Sequence, residues 1–198
     1  MRRFLTGFFI LIMLASIVTV SGQENDPVQL TGNQSMQIED VWVTLYGFSV
    51  GGNSTLSIKN ARVTMTDSSY TVSENGFLRI INSTIEWQGQ GGIRVSDNAK
   101  AEVVDSTIYM DYVVGNRTYY GHGFVLSEIS SIEIKNSDVG YIKLDEWAKC
   151  SVDGGTIGEF GTISKGESNI ANVEIGSMIL TYERTWLRIN QTIDGRTV

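Results

Sequence analysis

The sequence predicts an all-β chain wound as a parallel β-helix, a solenoid of about seven to eight coils after an N-terminal leader. Three observations predict it. One apolar template recurs along the chain. Asn, Asp and Gly recur at set places within that template. Helical periodicity is missing after the leader, where short alternating strands are separated by polar breaks.

With Leu56 as anchor, apolar residues stand eight and six places before it, at it, and two and seven places after it: Phe48, Val50, Leu56, Ile58 and Val63. The same spacing returns Val28, Leu30, Met36, Ile38 and Val43, then Tyr70, Val72, Leu78, Ile80 and Ile85. It returns Ile93, Val95, Ala101, Val103 and Ile108, then Phe124, Leu126, Ile132, Ile134 and Val139, and finally Ile142, Leu144, Cys150, Val152 and Ile157. All 30 positions are apolar in a chain that is 41% apolar. Weaker copies are anchored at Ser168, keeping Phe160, Ile170 and Ile175, and near Leu187, keeping Ile179 and Ile189. Successive anchors lie 20, 22, 23, 31, 18, 18 and 19 residues apart. One copy cannot bury its own apolar side, whereas stacked copies share a continuous core.

Each copy holds three strands. The first two carry inward residues two apart, as alternation requires. The third often adds a further apolar residue: Leu45, Met65, Trp87, Met110 or Tyr141. Two bends join the strands. Asn33, Asn53, Asn75 and Asn98 stand three places before the anchor. Asp40, Asn60, Asn82, Asp105, Asn136, Gly154 and Asn172 stand four places after it. These residue types tolerate left-handed backbone geometry and, stacked in register, form side-chain ladders.

Residues 1–22 read as a signal peptide: Arg2 and Arg3, an apolar run from Phe8 to Val20, and small Ser21 and Gly22. An uncleaved anchor is the rival, although the apolar run is short for a stable membrane span. The β-helix domain then covers 23–198, with coils over about 28–176 and an irregular coil or cap over 177–198. This layout predicts a secreted, extracellular or cell-surface protein. Without Arg2 and Arg3 the net charge is near −9, and no basic run follows, which argues against nucleic acid as a partner. The acidity is compatible with Ca²⁺ but indicates no site, so no cofactor is expected. The single cysteine, Cys150, falls on the template and is expected as a core residue.

The segments Leu56–Val63, Leu78–Ile85 and Ile132–Val139 resemble coils of right-handed parallel β-helix repeats, as in the pectin-lyase-like superfamily. The resemblance covers about 28–176 and implies the fold and its hand. That superfamily holds lyases, hydrolases, adhesins and tailspikes, so it implies no single activity. The 18-residue spacing also suits a left-handed β-helix, though its hexapeptide repeats are missing. A β-sandwich is the remaining alternative.

The connection from Met110 to Phe124 is the longest, and insertions in solenoids gather on one face that often binds. Tyr112, Tyr119, Tyr120 and the only histidine, His122, lie there as candidate ligand contacts, because aromatic rings stack on sugar faces. Gly121-His122-Gly123 resembles a motif of polygalacturonase-type glycosidases, but the acidic pairs of that family are missing. Were the chain an enzyme, Glu86, Arg94, Asp111 and His122 would be its catalytic set. No outward strand face carries a stacked column of Asp or Glu. Of five sequons, those at Asn33, Asn53 and Asn82 fall on the ladders, which leaves Asn116 and Asn190 as glycosylation candidates. The expectation is a non-catalytic module, structural, adhesive or glycan-binding, with polysaccharide or cell-envelope partners and end-to-end self-association at an uncovered last coil. The alternative is a polysaccharide lyase or hydrolase working through 111–123.

Overall fold

The computed structural model describes the backbone of residues 17–19, 26–66, 69–88, 91–109, 111–114, 117–120, 123–162, 167–180, 186–190, 192–193 and 196–197. Side chains are described within 26–66, 69–88, 91–108, 123–162 and 167–176. Among these residues every element is a strand.

The chain is a parallel β-solenoid of about six turns. The first coil holds Val28–Leu30, Ser35–Glu39 and Trp42–Leu45, and the second holds Phe48–Val50, Thr55–Lys59 and Arg62–Met65. The third holds Tyr70–Val72, Phe77–Ile81 and Thr84–Trp87, and the fourth holds Ile93–Val95, Lys100–Val104 and Thr107–Tyr109. Beyond Gly123–Leu126 the strands merge. Ser131–Leu144 and Lys149–Thr162 each run through a second strand, a third strand and the next first strand. Glu167–Ala171, Glu174–Leu180 and Trp186–Asn190 complete the stack.

Each strand pairs in parallel with its equivalent one coil away. Met36, Leu56, Leu78, Ala101, Ile132, Cys150, Ser168 and Leu187 form one unbroken row of partners. Eight second strands, from Ser35–Glu39 to Trp186–Asn190, stack on this face, yet fewer coils close than the seven to eight expected. In the last row Thr192–Ile193 turns back against Arg196–Thr197 as an antiparallel pair instead of supplying a third strand. At the other end Ile17–Thr19, inside the expected leader, lies parallel to Ser35–Gln37.

Every residue of the six complete templates is buried, at 8% exposure or less. The largest exposures belong to the outermost coil, at Val28 and Leu30. Burying a Leu, Ile or Phe side chain contributes roughly 1.5–3 kcal/mol, so this column is the main stabilising term. Phe48, Tyr70 and Trp87 pack edge to face, at 5.2 and 6.0 Å between ring centres. The Tyr70 hydroxyl donates to the Leu45 carbonyl at 2.8 Å and accepts the Thr66 N–H at 2.8 Å, which satisfies backbone groups where a third strand ends. Of the extra third-strand positions Leu45, Met65 and Trp87 are buried, Met110 lies outside the described residues, and Tyr141 is only half-buried. At that point Val139 and Gly140 are both buried and Ile142 takes the next inward place, so the alternation shifts by one as two strands fuse.

The second bend follows the expected residues. Asp40, Asn60, Asn82, Asp105, Asn136 and Asn172 have φ between 46° and 56°. Asn82 donates to Asn60 at 3.0 Å and Asn136 to Asp105 at 3.3 Å. Gly154 interrupts the ladder because a Cβ there would meet the Asn136 Oδ1 at 2.6 Å, and Asn172 instead reaches Asp153 at 2.8 Å. Beneath it runs a ladder of buried serines. The Ser83, Ser106 and Ser137 hydroxyls accept the N–H of Ala61, Ser83 and Ser106 at 3.1, 3.0 and 3.0 Å, and each donates to the carbonyl two residues back.

The first bend departs from expectation. Asn53 does donate to Asn33 at 3.1 Å, and Asn98 to Asn75 at 2.9 Å. The left-handed residue stands four places before the anchor: Gly32, Gly52, Glu74, Asp97, Glu128 and Glu146, with φ from 57° to 70°. The bend is closed by an N–H three residues on, as from Ala99 to the Ser96 carbonyl at 3.1 Å, and this sets the positive φ at the first central residue.

Candidate binding surfaces

The long connection is a β-hairpin rather than an irregular loop. Asp111–Val114 pairs antiparallel with Arg117–Tyr120. The sequence signal was present: two β-branched and aromatic runs flank Gly115-Asn116, a two-residue turn pair. In the register of the two strands Tyr112 opposes Tyr119, and Asp111 opposes Tyr120. His122 and Asn116 lie outside the described residues, and Asn190 is described only as the end of strand Trp186–Asn190.

Glu86 and Arg94 lie on different strand faces. Glu86 Oε1 accepts Arg62 Nη2 at 2.6 Å, and the Arg62 guanidinium covers the Trp42 ring at 4.8 Å. Glu86 thus pairs along the solenoid, across one coil spacing. Arg94 sits on the first-strand face between Thr71 and Val125. Among the described residues no group of three or more His, Cys, Asp or Glu is placed to hold a metal ion. Cys150 is buried in the core, and burial pushes its thiol up to about 12, which keeps it protonated and unreactive.

The second-strand face carries a depression of about 540 Å³. Register places its outward lining residues in five successive rows: Phe77, then Lys100 with Glu102, Ser131 with Glu133, Lys149 with Ser151, and Glu167 with Asn169. Four steps of about 4.8 Å make this a trough of roughly 19 Å along the axis. Ion pairs neutralise much of its charge: Arg79–Glu102 at 2.6 Å, Lys135–Glu133 at 2.6 Å and Lys149–Glu167 at 3.7 Å. Lys135 is raised above its ordinary value, chiefly by its hydrogen bond to Glu133. The trough therefore presents hydroxyl, amide, ammonium and carboxylate groups around one aromatic ring. Sequence reasoning missed it because no two rows are close in sequence.

A second feature sits on the first bend. Glu74, Asp97, Glu128 and Glu146 occupy the same left-handed place in successive coils, so the acidic column expected on no strand face stands on a bend instead. Asp97 accepts the Glu74 N–H at 2.8 Å, and Glu74 accepts the Gly52 N–H. Glu128 is held above the ordinary glutamate value, first by its hydrogen bond to Asp97, then by desolvation and by the charges of Asp97 and Glu146. In the adjoining position the Asn ladder gives way to Ile129 and Trp147, exposed by 60% and 57%. No known protein family, curated protein or solved structure matches this chain.

Proposed function

We propose that this chain is a secreted or cell-surface, non-catalytic β-solenoid that acts as a structural or adhesive module and holds an extended glycan along its second-strand face. The single observation that carries the reading is the trough from Phe77 to Asn169, open along its length and lined by paired charges, hydroxyls and an aromatic ring. A polymer laid along the axis meets polar side chains in each row from Lys100 to Asn169 and the Phe77 ring at one end. A linear hexose polymer repeats at close to the coil spacing, so successive sugars would address successive rows. Aromatic stacking and hydroxyl pairing then supply many small contacts instead of one deep pocket. Membership in the pectin-lyase-like superfamily, with its right-handed coil, belongs to the same reading.

The test is a panel of polysaccharides presented to the chain from residue 23 onward, with both binding and product release measured. The expected result is retention by at least one polymer, weakened about tenfold by Phe77→Ala with Asn169→Ala, and no new reducing ends. Retention that ignores both substitutions sinks the trough. The alternative, a polysaccharide-active enzyme, draws on Asp111 and Tyr120 being register partners in the hairpin. Release of unsaturated or reducing-end products, abolished by His122→Ala, would establish it.

A further inference from the structure

We infer that the first bend at coils five and six is a docking surface for a basic, apolar-containing peptide segment of a partner protein. The inference is independent of the glycan reading and rests on residues that do not line the trough. Its starting point is the exposed pair Ile129 and Trp147. Both stand three places before their anchors, Ile132 and Cys150, which are register partners, so the two side chains emerge from neighbouring coils about 4.8 Å apart. The backbone fixes them there. The Ile129 N–H bonds the Asp97 carbonyl at 3.1 Å, and the Trp147 N–H bonds the Glu128 carbonyl at 2.9 Å. In four earlier coils this position is Asn, which folds into a ladder and presents only amide to water. Replacing that ladder with Ile and Trp does nothing for the core, since neither is buried. Adjacent exposed large apolar groups mark contact surfaces.

The charge beside the pair identifies the occupant. Glu128 and Glu146 immediately precede Ile129 and Trp147, and Asp97 and Glu74 continue the column below. Their recorded partners are backbone N–H groups and one another, while the ion pairs of the described residues lie on other columns. An indole and an aliphatic side chain bordered by carboxylates complement Lys or Arg alternating with apolar residues. The cation gains both a carboxylate and an aromatic face. A sugar polymer would not need the stacked carboxylates, and an acidic segment would be repelled.

The experiment uses the full chain from residue 23 and fluorescently labelled alternating Lys-Leu and Glu-Leu peptides of equal length. The Lys-Leu peptide is expected to bind saturably, and to lose about tenfold in affinity on Ile129→Ser with Trp147→Ser and again on Glu128→Gln with Glu146→Gln. Added salt weakens it as well. Both pairs of positions are exposed, so thermal melting of each variant confirms that the solenoid remains folded. No saturable binding, equal binding by both peptides, or binding unchanged in the Ile129/Trp147 variant would each overturn the inference.

Discussion

The two bends of every coil solve the same backbone problem with opposite side chains. Each needs one residue at positive φ. The second bend uses Asn and Asp, whose amides and carboxylates pair up the stack above a buried serine ladder. From the third coil the first bend uses Glu, Asp, Glu and Glu, of which Glu74 and Asp97 accept backbone N–H groups of the preceding coil. A left-handed L residue costs roughly 1–2 kcal/mol, with Gly, Asn and Asp the usual exceptions. The second bend therefore uses relaxed residue types, whereas the first keeps Glu at three left-handed places where Asn or Gly would relax the backbone. Strain retained at one corner of a repeat is the physical sign of a role other than folding.

The comparison can be broken hardest at Gly155. Its φ is 91° and an added Cβ would sit on the Ser137 carbonyl oxygen. Gly155→Ala should cost about 3 kcal/mol, read from urea unfolding. Next is Ser106→Ala, which leaves the buried Ser83 N–H without its acceptor and should cost about 1–3 kcal/mol. A smaller effect, opposite in sign at the two corners, sharpens the contrast. Asn82→Ala should destabilise by about 1 kcal/mol, through the lost ladder bond and an Ala at φ 46°. Glu128→Asn should raise the melting temperature, because Asn accepts φ 60° more readily than Glu. A fall in melting temperature for Glu128→Asn would show that the acidic column contributes to the fold after all.

How much of this was readable in the chain follows the same division. The inward column was legible because alternation fixes which residues face the core, and Leu56, Leu78 and Ala101 obey it without exception. The left-handed places of the second bend were legible because Asn60 and Asn82 are the residue types that such places select. Those of the first bend were not, since Glu74 and Glu128 have no such preference and the Asn beside the former drew attention instead. The serine ladder was half visible in the recurring Asn82-Ser-Thr84, Asp105-Ser-Thr107 and Asn136-Ser-Asp138. The trough was invisible, because Lys100 and Lys149 become neighbours of Ser131 only once the register is known. Coil closure at the carboxy end was overestimated for a related reason: Leu187 keeps its row while the residues after it turn back.

The pH dependence of stability separates a paired carboxylate from an uncompensated one. Glu39 is bridged by Lys59 at 2.9 Å, and that hydrogen bond holds its carboxyl below the ordinary value of 4.5 while raising Lys59. A depressed carboxyl contributes stability above its unfolded value, and that contribution is lost as pH falls through the folded one. Glu128 runs the other way. Its proton is held more tightly in the folded chain than in the unfolded one, so its contribution is present at low pH and is lost as pH rises through its raised value. Melting curves from pH 3 to 8 should therefore show Glu39→Gln losing stability relative to the parent above the glutamate range and converging with it in acid. Glu128→Gln should gain on the parent over the same rise, because the variant keeps a hydrogen-bonding group beside Asp97 without the like charge. Parallel curves for Glu128→Gln and the parent would mean that Glu128 is not held above its ordinary value by its neighbours, and that the column is no more strained in charge than the ladder across the coil.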